Sequence, residues 1–323
     1  MVDNIKIILK DYSPSENITW KPKKVDNCPD EKYFYNARIY NRRFPKKSFS
    51  LKLLLTADEK NDTFSLSIKG SIRKWYYQKN SRKDLNFEEY VDCIKLIANE
   101  LDTDFKKLLT GKVTKVELGL TLLLKSEMRG INDCFIKYRN GEREVIEETS
   151  LYFHFTNYKL IFYDKFLEMN KNSIWDDIKE NVFKKFYFLR FEMNAKKVSG
   201  TTFKGKFDTL ERIKENWNLI PPAIEKYFND IVFVNVISKE KKVELKEYSD
   251  FVNYLTFLGI KKYGVIESVK LFDESVITNN KKKKLEEFIN IYRTNITDDF
   301  DYKGKLLVEL KKKLDRLYNK SNK

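Results

Sequence analysis

The sequence predicts an α+β fold in which an antiparallel sheet with helices on one face is followed by a mainly helical C-terminal region. Three observations lead there. Before about Lys206, apolar and polar residues mostly alternate, the period of half-buried strands. Two stretches within that part change to helical spacing, and both fall between strands. After Lys206 the apolar residues recur every three or four positions instead. At 323 residues the chain is a little longer than the size at which single cores tend to split, so two domains are expected, 1–205 for the sheet and 206–323 for the helical, basic part.

Taken in order, Ile5 to Leu9 and Tyr33 to Tyr40 read as strands by alternation. Ser48 to Leu55 and Thr63 to Ser71 read as a hairpin across the polar stretch Ala57 to Asp62. A helix is expected from Phe87 to Leu101. Asn86 can cap it, Glu89 sits where a capping box needs it, and Phe87, Tyr90, Val91, Ile94, Ile97, Ala98 and Leu101 form one stripe. Val113 to Leu124 reads as a strand, and Ser150 to Lys165 as a second hairpin turning at Thr156-Asn157. A helix beginning at Ser173 then leads into a strand from Phe186 to Lys196.

Beyond Lys206, helices are expected at Phe207 to Trp217, Pro222 to Phe228, Tyr248 to Leu258, Tyr263 to Asp273, Lys281 to Tyr292 and Lys303 to Tyr318. The stretch from the 250s to Phe272, with Gly259 between two apolar segments, has helix-turn-helix proportions. No internal repeat is visible in the sequence.

Composition narrows the function classes. Lys and Arg number 63 against 48 Asp and Glu, a net charge of +15, and 15% of residues are aromatic. That combination suits phosphate contacts and base stacking. No apolar run approaches the ~20 residues needed to span a bilayer, and no signal-peptide pattern is seen, so a cytoplasmic protein without membrane association is expected. Cys28, Cys93 and Cys134 are odd in number and far apart, which argues against a disulfide framework or a zinc cluster. His154 is the single histidine, so a metal site built from several imidazoles is impossible.

The chemistry-bearing pattern appears when alternation is applied to three strands. In Lys112 to Thr121 one face carries Lys115, Glu117, Gly119 and Thr121, and the other carries Val116, Leu118 and Leu120. In Lys159 to Lys165, Tyr163 and Lys165 share a face opposite Leu160, Phe162 and Asp164. In Leu189 to Lys196 the polar face holds Arg190, Glu192, Asn194 and Lys196. Aligned side by side, these faces would gather two carboxylates, a tyrosine and several cations. Two carboxylates can hold a hard divalent cation, which polarises a phosphoryl oxygen. A phenol near its ordinary pKa of about 10 is a poor nucleophile, and a neighbouring lysine and metal would activate it. Gly119 would leave room for a nucleic-acid backbone to come close.

At these strands the sequence resembles the replication-initiation endonucleases of filamentous phages and related plasmids, the gene II/X type within the wider rolling-circle initiator group. Three segments carry the resemblance in the same order: Val113-Thr-Lys-Val-Glu-Leu-Gly119, Tyr158-Lys-Leu-Ile-Phe-Tyr-Asp-Lys165 and Phe188-Leu-Arg-Phe-Glu-Met-Asn-Ala-Lys-Lys197. Lys69-Gly-Ser-Ile-Arg-Lys74 also looks like the family's N-terminal segment, and the likeness covers roughly residues 50 to 205.

The resemblance implies a nicking-endonuclease-like sheet domain with Tyr163 as nucleophile and Lys165 as its electrostatic partner. It implies Glu117 and Glu192 as ligands of Mg²⁺ or Mn²⁺, with His154 as an additional candidate. Lys69, Arg73, Lys74, Lys115, Arg190, Lys196 and Lys197 would contact DNA, and the helical C-terminal part would help recognise an origin. The expected function is rolling-circle initiation, with host helicase and polymerase as further partners. A DNA-binding protein without catalysis (a repressor or decayed initiator) is the chief alternative, and a relaxase- or transposase-like strand-transfer enzyme is another.

Overall fold

Antiparallel pairing joins ten strands into one sheet in this computed structural model, which describes residues 1–24, 32–44, 48–78, 82–147, 149–170, 181–182, 184–234, 239–240, 245–263, 268, 281–294, 296–297 and 301–319. The first half of the sheet is made of β1 (Val2–Leu9), β2 (Lys21–Pro22), β3 (Lys32–Tyr40), β4 (Ser50–Asp58) and β5 (Thr63–Ser71). The second is made of β6 (Lys112–Lys125), β8 (Glu142–Ile146), β9 (Ser150–His154), β10 (Tyr158–Asp164) and β11 (Phe186–Ala195). Between them in sequence but outside this sheet, β7 (Phe135–Tyr138) pairs with β12 (Ile231–Phe233).

The strand order, β2-β3-β4-β5-β1-β6-β11-β10-β9-β8, contains a repeat that the residue pattern does not reveal. Each half starts with a central strand, makes an excursion, and returns as a meander whose last strand pairs with the first. β1 and β6 meet antiparallel at the middle, so the two halves are related by an approximate two-fold axis.

The α-helices include α1 (Ile72–Tyr77), α2 (Phe87–Glu100), α3 (Phe105–Leu109), α4 (Lys165–Asn170), α5 (Leu210–Glu215), α6 (Ile220–Asn229), α7 (Tyr248–Tyr263), α8 (Lys281–Thr294) and α9 (Tyr302–Asn319). The expected α+β class is therefore present, with the C-terminal part mainly helical. α2 begins at the expected capping box: Asn86 Oδ1 accepts from the Glu89 amide at 2.9 Å, and Glu89 Oε2 accepts from the Asn86 amide at 3.0 Å. Gly259 lies inside the uninterrupted helix α7, so the turn expected there is not formed. Most of the helix expected from Tyr263 to Asp273, and the start of the one expected at Ser173, lie outside the described residues.

Alternation sorts the sheet into two faces, and the apolar one makes the core. Ile5, Ile7, Leu53, Leu66, Ile68, Val116, Leu118, Leu120, Phe162, Phe191 and Met193 are all buried there. α6 covers the second half through Phe228, whose ring lies 5.6 Å from Phe162 and 5.0 Å from Phe191. α2 meets the later helices at Tyr90, which packs 5.1 Å from the Trp217 ring and donates its hydroxyl to Leu210 O. Leu306, Leu310, Leu314 and Leu317 of α9 join the same core. That core therefore runs across the expected boundary at 205/206. A smaller apolar cluster gathers Ile136, Val234, Phe257, Ile260, Leu285 and Ile289 beside β7 and β12. Among the described residues no helix is long and apolar enough to cross a membrane.

If α9 and the sheet share one core, a cavity in α9 must weaken the sheet as well. Leu310→Ala, at a position 1% exposed, is expected to cost about 2–5 kcal/mol. Urea unfolding followed by tryptophan fluorescence should show a single transition displaced to lower denaturant; a separate early transition with the main one unmoved would refute the shared core.

Candidate active site

The polar faces of the three motif strands do align, because β6, β11 and β10 are neighbours and cross-strand partners share a face. Their register defines three rungs running toward the sheet edge. One joins Glu117, Asn194, Lys159, His154 and Glu142; the next joins Gly119, Glu192, Ile161, Tyr152 and Glu144; the third joins Thr121, Arg190, Tyr163, Ser150 and Ile146. Glu117 accepts a hydrogen bond from Asn194 Nδ2 at 3.0 Å. The Tyr163 hydroxyl donates to Glu192 Oε1 at 2.8 Å.

A third carboxylate arrives from a strand that the motif analysis left out. Strict alternation from Ile5, Ile7 and Leu9 would turn Asp3 into the core. The β1–β6 register shifts between Val2, opposite Leu118, and Ile5, opposite Val116, so both stay on the apolar face. The irregularity resets the parity and turns Asp3 to the polar side. One carboxylate oxygen from each of Asp3, Glu117 and Glu192 lies within 4.8 Å of the others, and all three residues are buried. His154 is on β9, three strands away from Glu117, and its Nε2 is 2.7 Å from Glu144 Oε2. It stands outside the triad.

Arg190 organises the group. Its side chain is 0% exposed. Nη2 donates to Asp3 Oδ2 at 2.6 Å, Nη1 to Asp84 Oδ1 at 2.5 Å, and Nε to Glu192 Oε1 at 3.0 Å. Arg73, also buried, donates through Nε to Asp3 Oδ2 at 2.7 Å. Asp84 also accepts the Thr121 amide at 3.0 Å and the Lys313 ammonium, from α9, at 2.8 Å. Arg190 and Arg73 were expected to hold DNA phosphates; both are committed to interior carboxylates instead.

Gly119 serves this interior network too. A Cβ there would meet Phe191 O at 2.7 Å and Arg190 Nη2 at 2.9 Å, so glycine leaves space for the guanidinium, where room for a DNA backbone was expected.

Lys165 departs from the strand and begins α4. Its ammonium is fully buried, bonds Glu168 Oε2 at 2.6 Å and lies 5.7 Å from the centroid of the Tyr163 ring. Asp164 points away from that ring, as alternation requires, and its Oδ1 accepts the amides of Phe166 and Leu167 at the start of α4. Among the other expected DNA contacts, Lys74 Nζ is 3.5 Å from Glu168 Oε1, Lys196 Nζ donates to Phe155 O at 3.5 Å, and Lys69, Lys115 and Lys197 are exposed.

Burial sets the proton affinities, and the cations correct some of them. Burial alone would raise Asp3, but Arg190 and Arg73 outweigh it and hold the carboxyl below its usual range. Asp84 is likewise held low, with Lys313 and Arg190 overriding burial. Among the described residues Glu117 has no such direct cation partner. Burial, then Glu192 and Asp3, push its carboxyl well up. Burial and the Glu192 carboxylate raise the Tyr163 phenol, so it rests protonated. Burial lowers Lys165, against Glu168.

Asp3, Asp84 and Lys313 were not found by the motif analysis. The charge of Asp3 next to Val2 was a weak sequence signal; the other two sit on a loop and a helix, where periodicity says nothing about contact. Comparison with models of known protein families, with curated proteins and with solved structures returned no match.

The depressed carboxyls make stability pH-dependent with a defined sign. In the folded chain Asp84 binds its proton more weakly than in the unfolded chain, so its contribution is full above about pH 4 and is lost as pH falls below it. Asp84→Asn is expected to cost about 3–5 kcal/mol at pH 7, by leaving Arg190 and Lys313 undercompensated. The same variant should flatten the acid limb of a stability–pH profile measured by urea titration; an unchanged limb would refute the role of Asp84.

Proposed function

We propose that this protein initiates rolling-circle DNA replication by nicking origin DNA through Tyr163, in the manner of the phage and plasmid endonucleases it resembles. The observation that carries the reading is the hydrogen bond from the Tyr163 phenol to Glu192, itself one of three carboxylates gathered on the same sheet face. A polar sheet face needs no carboxylate triad for solubility, and the burial of these groups costs stability that a merely solvated face would avoid.

The residues assign themselves to steps. Tyr163 Oη attacks the phosphorus of one phosphodiester and its proton passes to the Glu192 carboxylate 2.8 Å away. The bond from phosphorus to the 3′ oxygen breaks, leaving a 5′-phosphotyrosyl link, and the departing 3′ oxygen takes a proton from water. The released 3′-hydroxyl is the primer for a polymerase, and a helicase would open the duplex ahead of it. Attack by a later 3′-hydroxyl on the phosphotyrosine reverses the chemistry and rejoins strands without an external energy source. Arg190 keeps Glu192 oriented through its Nε, and Lys165 places a positive charge beside the Tyr163 ring.

The triad suits a divalent cation. All its donors are carboxylate oxygens, the ligands that Mg²⁺ and Mn²⁺ prefer. Glu117, with its proton affinity raised by burial, is a carboxyl whose ionised form such a cation would stabilise. Asp3, Glu117 and Glu192 would hold the ion, and its chemistry there would be to polarise a phosphoryl oxygen and lower the phenol's pKa. His154 has no place in that set.

Two measurements bear on this reading. A labelled single-stranded oligonucleotide from the candidate origin, incubated with the protein and Mn²⁺, should give a covalent adduct that survives denaturing electrophoresis. Tyr163→Phe should give none, a loss of at least a thousandfold, and an undiminished adduct would overturn the nucleophile assignment. Glu117 destabilises the fold as pH rises through the ordinary carboxylate range, because its proton is held more tightly in the folded state. Glu117→Gln is therefore expected to melt at or above the wild-type temperature at pH 8, and to lose most of the rise in Tm that Mn²⁺ produces in the wild type; an equal rise in both proteins would remove Glu117 from the metal site.

A further inference from the structure

The first half of the sheet carries a feature that the nicking chemistry does not use. Its strand registers place Arg38 of β3 opposite Lys52 of β4, and Lys52 opposite Lys69 of β5. Lys69 in turn lies opposite Lys6 of β1, and Lys6 opposite Lys115 of β6. Direct cross-strand partners share a face, so five cations stand in single file across five neighbouring strands. At a strand spacing of about 4.8 Å the row runs about 19 Å. Arg38, Lys52, Lys69 and Lys115 are exposed and Lys6 is half-buried.

Like charges placed directly opposite one another destabilise a sheet. The usual remedy is an interleaved carboxylate, as the Asp58 carboxylate provides for Lys32 on the same two outer strands. The row contains no acidic residue, and among the described residues none of its five members enters an ion pair. The apolar residues that flank each member in sequence, such as Ile5 and Ile7, Leu51 and Leu53, and Ile39, are buried in the core, so the cations all project from the opposite face. That is the face of the carboxylate triad. The row ends at Lys115, two positions before Glu117 and on the same side of β6.

We infer that this row is a track for the phosphodiester backbone of single-stranded DNA, laid across the strands and directed at the triad. A file one side chain wide matches a flexible chain of regularly spaced anions. An anionic membrane is a plane and would call for a broad basic surface. The track's direction rests on the nicking reading, while its affinity for a polyanion does not. It supplies the contacts that Arg190 and Arg73 cannot make from the interior, and it leaves the C-terminal helices free for other contacts with the origin.

The test is the salt dependence of binding to a twenty-nucleotide oligothymidylate, read by fluorescence anisotropy. Each phosphate contact on a single strand contributes a slope of about −0.7 in log K against log salt. The triple variant Lys6→Gln, Lys52→Gln, Lys69→Gln is expected to flatten the slope by about 2 and to weaken binding at least tenfold at low salt. Without DNA it should melt no lower than wild type, since all four cross-strand repulsions of the row are relieved. The corresponding triple replacement by arginine should keep both slope and affinity, which separates loss of charge from damage to the fold.

An unchanged slope in the glutamine variant overturns the track, as does a loss of binding confined to phosphatidylglycerol vesicles with oligonucleotide binding intact. Adduct formation reports separately: a wild type that shows the slope change on substitution but forms no adduct on any substrate would sink the nicking reading and leave the track as a single-strand binding surface.

Discussion

A fully buried guanidinium is the constraint around which the rest of this sheet is arranged. Arg190 cannot lose its proton, and taking its charge out of water is tolerable only if carboxylates meet it with good geometry. Three do, each on a different nitrogen and each from a different part of the chain: Asp3 from β1, Asp84 from the loop before α2, and Glu192 from its own strand. The demand fixes other residues in turn. Gly119 must lack a side chain, and β1 must carry an irregularity that turns Asp3 away from the core.

The same network joins the two sequence regions. Asp84 is shared between Arg190 and Lys313, so the last described helix contributes a charge to a cluster that begins at residue 3. Hydrophobic packing follows the same path, with Leu306, Leu310 and Leu314 in the core of the sheet. The C-terminal helix is thus a structural member of the carboxylate site. Displacing it would expose one face of the core and leave Asp84 with a single cation.

Charge is distributed over the polar face in two ways. Beneath Tyr163 and Glu192 the cations are interior and matched by carboxylates, while burial and the Glu192 carboxylate keep the phenol protonated. Across the first half and onto β6 the cations face one another, four of them exposed and Lys6 half-buried. The approximate two-fold repeat of the sheet places these contrasting halves side by side, with β1 and β6 as the seam. The reactive groups thus lie mostly on the second half and the unneutralised positive charge mostly on the first, and the two meet at the seam, where β1 supplies Asp3 to the triad and β6 supplies Lys115 to the row.

Much of this was legible in the residue order. Alternation identified the strands that hold Glu117, Tyr163 and Glu192, and also the face each occupies, because a period of two is a local property of extended chain. The capping box at Asn86 is equally local, whereas the start of α4 at Lys165 was not expected, the strand having been read through to that residue. What the sequence by itself determined was therefore the strands that carry the site, their apolar faces and the residue types available for chemistry.

The tertiary structure decided what depends on register and on distance along the chain. Whether Arg190 meets a phosphate or a carboxylate is a matter of what lies above its strand, and only the fold brings Asp3, Asp84 and Lys313 there. The parity of Asp3 was set by an irregularity between two strands, a relation with no signature in either strand alone. The alignment of Arg38, Lys52, Lys69, Lys6 and Lys115 likewise arises from four registers acting together. A slip of one residue in any of them would turn a cation into the core and an apolar side chain into water, so burial of the apolar face holds the cationic file in line.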